Sequence, residues 1–172
     1  MTHVVVMGVS GCGKSTVGEL LADRLRVPFL DADNFHPEAN LAKMADGTPL
    51  DDADRWPWLR LVGVALAAHP DGAVVACSAL RRTYRDLLRD AVPEVRFVHL
   101  EGTREQLAAR MRARARHFMP VSLLDTQLAT LEPLGGDEPG IVLDCTLDPA
   151  TLVSRADRTV GSPNLVGRRT GE

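Results

Sequence analysis

Gly8-Val9-Ser10-Gly11-Cys12-Gly13-Lys14-Ser15 is the segment that most narrows what this chain can fold into. It fits the pattern G-x-x-x-x-G-K-[ST], with a short apolar run before it and an amphipathic pattern after it, the context a phosphate-binding loop requires. Glycines let the backbone curl until successive N–H groups point into one concavity. The helix that follows adds the partial positive charge of its N-terminus. Lys14 would reach the β- and γ-phosphates, and the Ser15 hydroxyl would ligate Mg²⁺. Gly8, Val9, Ser10, Gly11, Cys12, Gly13, Lys14, Ser15 and Thr16 are therefore expected to bind a nucleoside triphosphate.

Around this loop the chain alternates two kinds of segment. Apolar, β-branched runs at His3–Met7, Val27–Leu30, Ala73–Cys77, Val95–Leu100 and Ile141–Asp144 read as strands buried on both faces of a parallel sheet. Between them lie helical patterns. Val17, Leu20, Leu21 and Leu25 define one; Asp51, Asp52 and Asp54 crowd the start of another, where negative charge suits the helix dipole. Thr103-Arg104-Glu105-Gln106 forms a capping box, and Pro149 opens the last helix. The alternation predicts an α/β fold with a mainly parallel, five-stranded sheet flanked by helices. One domain over residues 1–160 is expected, with a lid near 110–135 and a flexible tail over 161–172.

Eighteen arginines stand against only two lysines, Lys14 and Lys43, yet the net charge is −3. That balance argues against a dedicated nucleic-acid binder, which is usually strongly basic. No run approaches 18 apolar residues, so no membrane span is expected. Cys12, Cys77 and Cys145 are odd in number and widely spaced, fitting neither a disulfide framework nor a zinc site. A cytoplasmic setting follows.

No Asn-Lys-x-Asp motif marks a GTPase, and the chain is short for a motor or transporter ATPase. Instead, Asp31 and Asp33 follow the second strand, at the end where α/β folds bind ligands. One would serve Mg²⁺ through water and the other an acceptor hydroxyl; the alternative is a solvated turn with helix-capping aspartates. His36 and Arg55 lie in segments inserted after that strand, where small kinases hold their acceptor. Ser78, Arg81, Arg82 and Arg85 follow the third strand, again at the ligand end. Arg110, Arg112, Arg114 and Arg116, ending in His117, make sense if a closing lid brings arginine onto triphosphate oxygens.

Several further blocks make the chain resemble the gluconate kinase family closely. They are Asp31-Ala32-Asp33-Asn34-Phe35-His36-Pro37, Asp54-Arg55-Trp56-Pro57-Trp58-Leu59, Cys77-Ser78-Ala79-Leu80-Arg81-Arg82 and His117-Phe118-Met119-Pro120, over about residues 4–155. The resemblance implies a P-loop kinase fold with a lid, and transfer of the ATP γ-phosphoryl to the 6-hydroxyl of D-gluconate with Mg²⁺. It implies Lys14, Asp33 and Arg116 as catalytic, and Ser15 and Asp31 as metal-binding. Asp33, His36, Arg55, Ser78, Arg82 and Gln127 would bind the acceptor, and the family suggests a homodimer. Ala-Arg-His-Phe stands here where Lys-Gly-His-Phe is common in relatives. Another small-molecule kinase of the same architecture is the alternative, and a nucleotide-binding module without catalysis the more distant one.

Overall fold

Successive residues of a strand face opposite sides, so a run as apolar as Val4-Val5-Val6-Met7 needs partners on both. In the computed structural model, which describes residues 2–113, 121–161 and 168–169, it has them. Val4 and Val6 pack with Leu21, Leu152 and Ala156, whereas Val5 and Met7 pack with Leu59, Val62, Leu66 and Leu88. Each large side chain fully buried this way contributes roughly 1.5–3 kcal/mol of transfer free energy.

The strands are β1 (Thr2–Met7), β2 (Phe29–Asp31), β3 (Gly72–Ala76), β4 (Arg96–Glu101), β5 (Gly140–Asp144) and a two-residue β6 (Arg168–Arg169). The helices are α1 (Lys14–Leu25), α2 (Glu38–Ala45), α3 (Asp52–Ala67), α4 (Arg82–Ala91), α5 (Arg104–Ala113), α6 (Val121–Thr130) and α7 (Pro149–Val160). All strand pairs are parallel, in the order β2-β3-β1-β4-β5-β6. Val5 lies opposite both Val75 and Phe97, so β1 is central. The chain moves to one side of β1 for β2 and β3, then crosses to the other for β4. A crevice opens at this switch point beyond the strand C-termini, where open α/β sheets bind ligands.

Most strand ends shift by a single residue, and two differences from the sequence reading are larger. The second strand starts at Phe29 rather than Val27, because Arg26 closes α1 in a left-handed conformation (φ 58°) and Pro28 has no N–H for a ladder. The expected tail extends the sheet at one point: Arg168 and Arg169 pair with Ile141 and Val142. The exposed edge of β5 offers backbone donors and acceptors that any extended segment can complete, so no side-chain pattern announces the pairing.

The predicted caps form. Thr103 and Gln106 exchange backbone–side-chain hydrogen bonds of 2.8 and 3.3 Å. Asp51 and Asp54 make a full capping box at the start of α3. Cys12, Cys77 and Cys145 are free and buried. Among the described residues no helix is long and apolar enough to cross a membrane.

Candidate active site

The phosphate loop joins β1 to α1 and forms one wall of a cavity of about 500 Å³. Its turn depends on glycine, as Gly8 and Gly13 show. Gly8 has φ +142°, and a Cβ there would sit 2.7 Å from the Leu100 carbonyl oxygen; Gly13 begins α1 at φ +96°. Val9 and Cys12 are buried beneath the loop, while Ser10, Gly11, Gly13, Lys14 and Ser15 line the cavity. Thr16 is exposed on the first turn of α1, outside the cavity lining. No side chain caps α1, and its first turn carries no acidic residue. Its free N–H groups and dipole are thus left for an anion. The Lys14 ammonium donates to the Val9 carbonyl at 3.1 Å, which holds it over the loop.

Gln127, on α6, reaches the same loop. Its Oε1 accepts from the Ser10 N–H at 2.8 Å and the Ser10 hydroxyl at 3.1 Å. It therefore borders the acceptor space while binding the phosphate loop. Arg104 pairs with Asp125 at 2.5 and 2.9 Å, tying α5 to α6. Of the arginine run, Arg110 lies against the loop: its Nη1 is 3.9 Å from where a Gly13 Cβ would be. Arg114, Arg116 and His117 lie outside the described residues.

The opposite wall begins where β2 ends. Asp31 accepts from the Asp33 N–H at 3.0 Å and so caps a 3₁₀ turn over Ala32–Phe35, while still lining the cavity. The Asp33 side chain is 81% exposed, free to meet an acceptor. Trp58, from α3, fixes this turn by donating its indole N–H to the Ala32 carbonyl at 2.7 Å. His36 stacks on the Trp58 ring at 4.2 Å and 15°.

The His36 tautomer follows from its neighbours. Asn40 Nδ2 is 3.0 Å from the Asp54 carbonyl, which only accepts, so this end of the amide is the donor. The same Nδ2 is 3.3 Å from His36 Nδ1, which must accept, leaving the ring proton on Nε2, 3.7 Å from the Asp33 carboxylate. Burial lowers the His36 pKa and Arg55 adds to it, outweighing the carboxylates of Asp33 and Asp31. The ring is thus a neutral donor directed at Asp33.

Lys43 clamps this arrangement through both oxygens of Asp54, at 2.7 and 2.8 Å. It joins α2 to the start of α3, from which the next residue, Arg55, enters the cavity. Among the described residues the Arg55 guanidinium meets no carboxylate; its hydrogen bond is to the Tyr84 hydroxyl at 3.2 Å.

Ser78 lines the cavity from the loop after β3, and its carbonyl accepts from the Gly8 N–H at 3.4 Å. Arg82 corrects the sequence reading. Its guanidinium grips Asp137 at 2.5 and 2.7 Å, away from the cavity lining, because the α6–β5 connection brings that carboxylate to the first turn of α4. Asp137 is pulled down to about 2 by this contact. Arg85 is likewise no ligand residue. Fully buried, it binds Glu138 at 2.6 and 2.9 Å and the carbonyls of Ala79, Leu80 and Glu132. Ala79 has φ +43°, a left-handed conformation that the Arg85 contact helps to hold. Cys77 borders the site, but burial pushes its thiol up to about 12, so it is no nucleophile.

Sequence reasoning passed over Trp58, Asn40 and Tyr84 as individual site residues. The sequence pointed to this region through His36, Arg55 and the acids at the start of α3, but the contacts that assemble it cross between separate elements.

A phosphate loop at the switch point, an exposed carboxylate facing it and a cationic acceptor wall define a P-loop kinase of small molecules. Comparisons with known proteins agree. The shikimate kinase family model matches residues 10–129. The gluconokinase of Gluconobacter oxydans (strain 621H) is 52% identical over 80% of this chain and 79% of its own. A crystal structure of a gluconokinase from Sinorhizobium meliloti 1021 superposes with TM-score 0.87 at 46% identity, covering 93% of this chain and 91% of that one. An unliganded sugar kinase from Janibacter sp. HTCC2649 gives 0.89 at 49%, covering 94% and 95%. The chain belongs to the gluconokinase family, within the shikimate kinase group of P-loop enzymes.

Proposed function

We propose that the protein transfers the γ-phosphoryl group of ATP to the 6-hydroxyl of D-gluconate, giving 6-phosphogluconate and ADP. The observation that carries this reading is Arg55, a cation lining the cavity with no carboxylate partner among the described residues. It stands in one space with Lys14 and Asp33. An anionic acceptor such as a sugar acid supplies the missing charge, and guanidinium suits carboxylate through paired N–H donors.

In this reading Asp33 orients the acceptor hydroxyl and accepts its proton as the O6–P bond forms and the bond from the γ-phosphorus to the β,γ-bridging oxygen breaks. Because the transition state is loose, orientation matters more than basicity. The His36 Nε2–H steadies the Asp33 carboxylate. Lys14 and the α1 N-terminus take the charge of the phosphoryl oxygens. The 110–135 segment serves as the lid and Arg116 as its charge donor; closure excludes water, whose attack would waste ATP.

Ser15 and Asp31 would hold Mg²⁺, which screens phosphate charge. Both are hard oxygen donors lining the cavity. No group of three or more His, Cys, Asp or Glu occurs among the described residues with metal-binding geometry. We place the enzyme in the cytoplasm as a homodimer, which sedimentation at working concentration tests.

A coupled ADP-release assay across gluconate, shikimate, other sugar acids and nucleoside monophosphates tests the function. Gluconate-dependent release is expected; release with another acceptor alone would overturn the substrate.

A further inference from the structure

Asp52 and Arg55 stand three residues apart on α3, a spacing at which opposite charges on a helix normally pair. They do not pair here. The Tyr84 hydroxyl, from α4, stands between them, accepting from Arg55 Nη1 at 3.2 Å and donating to Asp52 Oδ1. The direction of this chain is fixed, because guanidinium only donates and carboxylate only accepts. Burial and the Asp52 carboxylate hold the phenol above its usual range, so the hydroxyl keeps its proton.

The surroundings hold the arrangement in place. Tyr84 is 1% exposed, its ring edge-on to Trp56 at 5.3 Å. The guanidinium carbons of Arg55 and Arg81 lie 5.7 and 6.0 Å from its centroid. Asp52 spends its second oxygen on Arg81 Nη1 at 3.2 Å. Its charge is shared with Arg81 and reaches Arg55 only through a neutral hydroxyl.

We infer that Tyr84 is a positioning residue for the acceptor, aiming Arg55 into the cavity while keeping Asp52 from neutralising it. This inference rests on the reading above that Arg55 takes the acceptor carboxylate. Without the hydroxyl, Arg55 folds onto Asp52 and the acceptor side of the cavity loses its cation.

The test is Tyr84→Phe, which keeps the ring and its packing. Losing a hydrogen bond to a charged group should raise KM for gluconate about tenfold. kcat and KM for ATP should stay within about twofold, a split that general loosening of the fold would not produce. In an Arg55→Met background the same substitution should change KM for gluconate by less than about twofold. Asp52→Asn is the second variant: the pairing partner loses its charge, so Asp52→Asn/Tyr84→Phe should recover most of the KM lost in Tyr84→Phe. Unchanged KM in Tyr84→Phe, equal loss with ATP, or full additivity with Arg55→Met would overturn the inference. A wild-type enzyme using only an uncharged acceptor would overturn both it and the proposed function. One using a different anion would overturn the substrate alone, and the KM split for that anion would then decide the role of Tyr84.

Discussion

On the donor side of the cavity the groups offered to an anion are mainly backbone amides, set by a glycine-bent loop and an uncapped helix. On the acceptor side they are side chains held by other side chains: His36 by Trp58 and Asn40, Arg55 by Tyr84, and the start of α3 by Lys43. The donor wall is local, encoded within nine residues. The acceptor wall draws on β2, α2, α3 and α4, and its charges are arranged by contacts up to 32 residues apart. Backbone cradles bind any triphosphate in the same way, whereas a side-chain lattice can be retuned one residue at a time. In the proposed function, substrate choice belongs on the second wall.

The two walls should fail differently when cut. Lys14→Ala removes the side-chain cation held over the phosphate loop and should lower kcat about 10²- to 10³-fold, read by steady-state ADP release. Near-normal kinetics would place the charge stabilisation elsewhere. Asp33→Asn should lower kcat roughly 10²-fold with ATP affinity nearly intact, seen by comparing turnover with nucleotide titration. Equal loss of ATP affinity would erase the division between the walls.

Neither wall is expected to carry the fold; the buried Arg85–Glu138 pair beneath them does more. Glu138→Gln strands a buried guanidinium at a cost of about 3–5 kcal/mol, lowering Tm by roughly 10 °C while surviving enzyme stays active in the cold. Burial alone would raise the Glu138 carboxyl, yet Arg85 and the Gly135 N–H hold it below its usual range. Its stabilisation is therefore present above the unfolded-state value and lost as pH falls through the folded one, so the variant's stability should change less with acid.

His36 gives a gentler comparison. Its folded pKa lies below the ordinary 6.5, so the unfolded chain takes the proton first as pH falls through that value. Folding is thereby weakened on the acid side, and His36→Gln should flatten the decline of Tm between about pH 7.5 and about pH 5.5 by a few degrees at most. An unaltered slope would mean the imidazole is not held neutral. Smallest of all should be Arg82→Ala. Its exposed pair with Asp137 lies off the cavity, so KM for gluconate should not move; a marked rise would return Arg82 to the acceptor wall.

Sequence patterning located all five long strands and the order of the helices, because burial on both faces and helical periodicity are written in neighbouring residues. It singled out Lys14, Ser15, Asp31, Asp33, His36, Arg55 and Ser78, the family resemblance added Gln127, and all eight line one cavity. It grouped Arg81, Arg82 and Arg85 after β3 by position, and there it could not separate roles. Arg81 pairs with Asp52, Arg82 turns to Asp137 and Arg85 is sealed onto Glu138; the sequence shows three arginines beside one strand end.

What the sequence determined by itself is what short-range physics dictates: a glycine-bent phosphate loop between a strand and a helix, the helix caps and the α/β alternation. What only the tertiary structure decided is the charge state of the acceptor wall. Whether an arginine is neutralised, buried or left for a substrate depends on which carboxylate or hydroxyl the fold brings within about 3 Å of it. Those partners lie 29 to 55 residues away in the chain, beyond anything that neighbouring residues encode.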